Sequence, residues 1–272
     1  MATAAEVREL LAPTTLPGPL IDALLDGASV TWLLGDAAGV LAGDLALCHP
    51  PLGPSEIRAT VNPTTEPASW RLAVVAHDRP GLLAATAGAL AWHRLSLTSA
   101  AIVSWPDLDL ALQRVTACDA EGRERLPSDW DDIGKTLRAA LAGTHPVDPG
   151  FTPAGPVRVQ CTPQEQGYCL VSLEAPDHLG LLWAVAHWFE THDCNIEGST
   201  MTTDGRTATG TLLVRGEVDG GDLATTLGGA PARLWTLPTT AVRVGAKAAV
   251  AVAGVGAAVA LRSLRALRRG KS

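Results

Sequence analysis

Apolar and polar residues alternate along Leu72, Val74 and Ala76, which predicts a strand with one buried face. Just downstream the period changes, and Leu82, Leu83, Thr86 and Leu90 recur at helical spacing. The same change returns 99 residues later without a gap, from Val171, Leu173 and Ala175 into Leu181, Leu182, Val185 and Phe189. A duplicated unit fixes the architecture before any motif is weighed. Second strands are predicted at 95–103 and 194–202, third strands at 109–118 and 206–214, and second helices at 128–141 and 219–227. Residues 157–161 read either as the strand that closes the first sheet or as a linker strand, and 232–237 as the strand that closes the second. Ahead of the repeats, 4–11 and 20–25 are short helices bounded by prolines and glycine, and 32–34 and 40–47 are apolar enough to pack onto something. Pro50, Pro51, Pro54, Pro63 and Pro67 then punctuate an extended connector.

In both copies the period changes at Asp-x-x-Gly, Asp78 to Gly81 and Asp177 to Gly180. Asp caps helices well, and Gly lets a chain turn tightly or approach a ligand closely. A strand, a tight loop and a helix start leave free amides and a partial positive charge facing outward, where a carboxylate sits well. Asp78, Asp177 and nearby carbonyls supply acceptors for an ammonium group. The plain structural reading of the same loops is a duplicated helix cap.

The run Asp78-Arg-Pro-Gly-Leu-Leu83 after an apolar strand resembles the signature of the ACT domain, a small regulatory module that binds amino acids. In the second copy Leu179 replaces the proline. Two such units are similar to the regulatory tail of the PII uridylyltransferase/uridylyl-removing enzyme family. The resemblance implies an α+β fold of two ferredoxin-like βαββαβ units. The expected division is an N-terminal helical extension and connector (1–69), ACT-like units at 70–163 and 168–238, and a C-terminal apolar and basic helix at 242–272. It also implies a ligand lying between units, with loop and strand drawn from different copies. Asn195 matches the position where ACT units often place an amide that touches the ligand; its counterpart in the first copy is Ser96. The candidate site residues are therefore Asp78, Arg79, Gly81, Leu82 and Ser96 with Asp177, His178, Gly180, Leu181 and Asn195.

The net charge is −7, but five cations and no acid fall in the last 11 residues, leaving −12 for the remainder. An acidic body argues against nucleic acid. Five cysteines without a C-x-x-C pair, and an N-terminus lacking an apolar signal core, point to reduced thiols in the cytoplasm. Residues 248–261 are small and apolar and lead into Arg262, Arg265, Arg268, Arg269 and Lys271. Fourteen helical residues span roughly 21 Å, short of a membrane core of roughly 30 Å. Membrane contact through 242–271 and a docked or solvated terminal helix are both open readings.

His77-Asp78 and His192-Asp193 spell a phosphohydrolase dipeptide, but both belong to the repeat and lack the further ligands that chemistry needs. His187 and His192 lie on different sides of a helix, which disfavours a shared metal. Gly254-Val-Gly256 has too little chain after it for a dinucleotide unit. No Walker loop, G-x-S-x-G or paired catalytic carboxylates occur. The expectation is a non-enzymatic sensor with no cofactor or metal, which binds a small amino acid or related metabolite and signals to a protein partner. Sheet pairing between two chains, giving a homodimer, is as open as pairing within one. The alternative is a ligand-free interaction scaffold or membrane-tethered adaptor.

Overall fold

The computed structural model describes residues 2–28, 32–33, 35–144 and 147–228. The expected strand at 232–237 and the tail at 242–272 lie outside them. The first helices are α1 (Ala4–Leu11), α2 (Gly18–Gly27) and α3 (Ala38–Ala46). Then follow β1 (Arg58–Pro63), β2 (Ser69–Ala76), α4 (Leu82–Trp92), β3 (Leu95–Trp105), β4 (Leu110–Asp119) and α5 (Pro127–Leu141). The series repeats as β5 (Arg158–Pro163), β6 (Tyr168–Pro176), α6 (Leu181–Thr191), β7 (Asn195–Thr203), β8 (Thr207–Arg215) and α7 (Gly220–Gly228). All eight strands form one antiparallel sheet in the order β1-β2-β4-β3-β7-β8-β6-β5. The order reads as a palindrome. At its centre Ala101 of β3 pairs with Thr200 of β7, which is its own counterpart at the 99-residue shift.

The mixed α+β sheet is consistent with ferredoxin-like units, with one correction to the strand order. Residues 157–161 do not close the first sheet: β5 pairs with β6 in the second half. The edge beside β2 is already held by β1, which comes from the proline-rich connector. Each half thus takes its edge strand from the chain before it, giving the order ββαββα among the described residues. Prolines are tolerated there because an edge strand has one side free of ladder bonds, and Pro63 sits at the end of β1.

Helices α4 to α7 cover one face of the sheet, burying Leu72, Ala100, Ile102, Val115, Val171, Leu173 and Leu212 with Leu90, Val185 and Phe189. The N-terminal extension covers the other face, but only over the first half. There Leu11, Leu24, Trp32 and Leu41 pack on Ala73, Val75, Ala101, Val103, Leu110 and Leu112. By sheet register the counterparts of those six residues are Ser172, Glu174, Thr200, Thr202, Thr207 and Thr209. The repeat therefore carries apolar side chains where the extension docks and polar ones where water does.

A buried ion cluster fixes that docking. Arg71 donates to Asp44 at 3.0 Å and to Asp36 at 3.1 Å, and Arg114 lies 3.5 Å from Asp36 with its guanidinium 5.6 Å from the Trp32 ring centre. Burial pushes the Asp44 carboxyl up, and the Arg71 guanidinium opposes it. Trp105 Nε1 donates to the Leu24 carbonyl at 2.9 Å and ties α2 to β3.

Candidate ligand-binding clefts

The two bends have one geometry. Gly81 (φ 81°, ψ −5°) and Gly180 (φ 86°, ψ −2°) precede α4 and α6 in the left-handed region, where a Cβ is strained. Leu82 N–H reaches back to the Arg79 carbonyl at 3.4 Å, and Leu181 N–H to the His178 carbonyl at 3.2 Å. Pairing of β3 with β7 then points each bend at the start of a strand in the opposite half. Asp78, Arg79, Gly81 and Leu82 line a first cleft together with Cys194 and Asn195. Asp177, His178, Gly180 and Leu181 line a second with Leu95 and Leu97.

Four of the candidate residues and Asn195 thus meet in the first cleft, and four in the second. Ser96 does not join them. It lies opposite Cys118 in the β3–β4 ladder, while Leu95, Leu97, Thr98 and Ser99 face the second cleft.

The aspartates turn inward. Burial raises the Asp78 carboxyl and the neighbouring Glu197 carboxylate adds to this, whereas hydrogen bonds from Asn195 and Ser104 oppose it. Asp177 accepts a 2.6 Å hydrogen bond from Thr203, the repeat counterpart of Ser104. Arg79 is drawn to the end of α5, where Nη2 donates to the Leu141 carbonyl. His178 Nδ1 lies 3.1 Å from the Pro176 carbonyl, so that nitrogen carries the proton.

Both bends are covered. The Glu190 carboxylate of α6 lies against Gly81, where a ligand carboxylate was expected. Pro149 and Phe151, from the segment joining the halves, lie over Gly180, and the Phe151 ring sits 4.8 Å from that of His178. The first cleft has a volume of about 10 Å³ and the second about 30 Å³. One water needs about 10–15 Å³. An amino acid enters either cleft only if its cover moves. The Glu190 side chain is 41% exposed and is held by His187 at 3.2 Å.

Sequence reasoning missed the covers and one further residue, Gln113 of β4, which faces the first cleft from inside the sheet. The signal for it was a polar residue in mid-strand between Leu112 and Val115. The histidines separate: His77 goes to Asp109 and the Gly53 carbonyl, His187 to Glu190, and His192 to the Trp188 carbonyl. Among the described residues no cluster of His, Cys, Asp or Glu is arranged to hold a metal, and no helix is long and apolar enough to cross a membrane.

No family model matches the chain. No curated protein matches it either. Among solved structures it is similar to the aspartate kinase from Synechocystis, at 14% identity with a TM-score of 0.20, over 63% of this chain and 41% of that one. The chain thus spans less than half the length of that kinase, and a likeness this faint carries no argument. Nothing in these comparisons supports the resemblance to the uridylyltransferase tail.

Proposed function

We propose that the chain is a non-catalytic regulatory protein. In this reading it binds a small amino acid or related metabolite between two ACT-like halves and passes the signal to a protein partner. One observation carries the reading: the Asp78 loop of one half meets Asn195 of the other across the β3–β7 pairing. That arrangement supplies an acceptor for an ammonium group and a helix start for a carboxylate at one place. Glu190 already offers its carboxylate to that helix start, which supports the electrostatic half of the argument. A ligand that displaces the cover shifts the balance between two arrangements of the halves only by its difference in affinity for them.

A second reading, a ligand-free interaction scaffold, is favoured by the covers and the small clefts. A thermal-shift screen against the twenty common amino acids separates the two. A ligand at 100 times its dissociation constant adds roughly 2.7 kcal/mol of stability. An intact fold that responds to none of them favours the scaffold. The five cysteines are all free, in keeping with a reducing compartment.

A further inference from the structure

The two clefts are one cleft built twice. Under the 99-residue shift Ile102 corresponds to Met201, Ala186 to Ala87, Cys194 to Leu95 and Ile196 to Leu97, and both members of each pair line their clefts. The correspondence breaks at two positions. Asn195 answers to Ser96, which is outside the second cleft, and Gln113, which pairs with Ile102 of β3, answers in register to Gly210, which pairs with Met201 of β7. Gln113 is 1% exposed, and its Oε1 accepts no hydrogen bond. A buried acceptor left without a partner destabilises a fold. The residue at the same register in the other half is a glycine, so the sheet forms there without any side-chain acceptor.

We infer that the first cleft alone is the binding site, and that the Gln113 amide oxygen is its reserved acceptor for the ligand's ammonium group. This rests on the amino-acid reading above. An ammonium carries three donors. The Asp78 carboxylate takes one and Gln113 Oε1 a second, both lining a cleft that now holds about 10 Å³. The ligand's carboxylate takes the place of Glu190 at the start of α4. At the second cleft the residue equivalent to Glu190 is Ala91, and Gly210, in the register of Gln113, has no side chain to accept from an ammonium.

The test is calorimetric titration of the full chain with each of the twenty common amino acids, alongside melting curves without ligand. The wild type binds one molecule per chain. Gln113→Leu, which removes the acceptor and keeps a side chain of similar size, binds at least about tenfold more weakly, the effect of losing one hydrogen bond to a charged group. Without ligand that variant melts at the wild-type temperature or above. Binding of two molecules per chain, or undiminished binding by Gln113→Leu, overturns this inference and leaves the amino-acid reading standing. A lower melting temperature of ligand-free Gln113→Leu overturns it as well, because the amide is then structural. Binding of no amino acid by the wild type overturns both.

Discussion

Replacing Gly180 by alanine isolates the backbone strain of the repeated bend, and replacing Gly81 adds the question of whether its cover moves. Both glycines sit in the left-handed region, which costs an L-residue about 1–2 kcal/mol. At Gly180 the new Cβ would lie 3.5 Å from Pro149 Cγ and 3.9 Å from Phe151 Cβ, both ordinary contacts. Gly180→Ala is therefore expected to lose strain energy alone, about 1–2 kcal/mol, or a melting-temperature drop of about 2–8 °C. At Gly81 the Cβ falls on the Glu190 carboxylate, at the free end of a flexible side chain. Moving it aside breaks an exposed pair with His187, worth about 0–1 kcal/mol. Gly81→Ala should then cost about 1–3 kcal/mol, with Glu190→Ala in the same chain recovering part of the excess. Urea unfolding followed by tryptophan fluorescence measures all four proteins. A Gly180→Ala cost near zero would refute the left-handed bend. A Gly81→Ala cost well above about 3 kcal/mol would refute a movable cover, and with it ligand entry to the first cleft.

Asp44→Ala breaks a pair in which the carboxylate is 4% exposed and leaves Arg71 short of a partner. It should cost about 3–5 kcal/mol and open residues 1–50 to proteolysis; a loss near zero would mean the cluster does not hold the extension. His77 donates to the Gly53 carbonyl and to Asp109, and these two bonds raise its pKa above the ordinary value. A raised histidine gives stability that is full below about pH 6.5 and is lost as pH rises through the folded value. The stability gap between wild type and His77→Ala should narrow from acid to mildly alkaline pH, and a gap that widens contradicts the assignment.

The repeat was legible because both halves keep the same switch from period two to helical period at the same glycine. The edge strands were less so. A short alternating run such as that around Val159 carries no mark of which sheet it joins, and β1 was hidden among prolines. In β4 the series Leu110, Leu112, Val115 and Ala117 looks like one face but covers two: the first pair faces the extension and the second the helices. Both faces are buried, so apolar residues fill positions of either parity, and the odd step from Leu112 to Val115 carries the series to the other face. Asp78, Gly81 and Asn195 were legible from the motif. Glu190 and Phe151 were not, because they reach the bends from other parts of the chain, through packing of α6 on α4 and through the joining segment.

The backbone amides of Gly81 and Asn195 belong to opposite halves, so following both by heteronuclear NMR during titration with amino acids tests the shared cleft most directly. The account predicts that one amino acid shifts the two signals together, with the same midpoint. Saturating amino acids that leave both signals in place, or a ligand that moves one without the other, would contradict it.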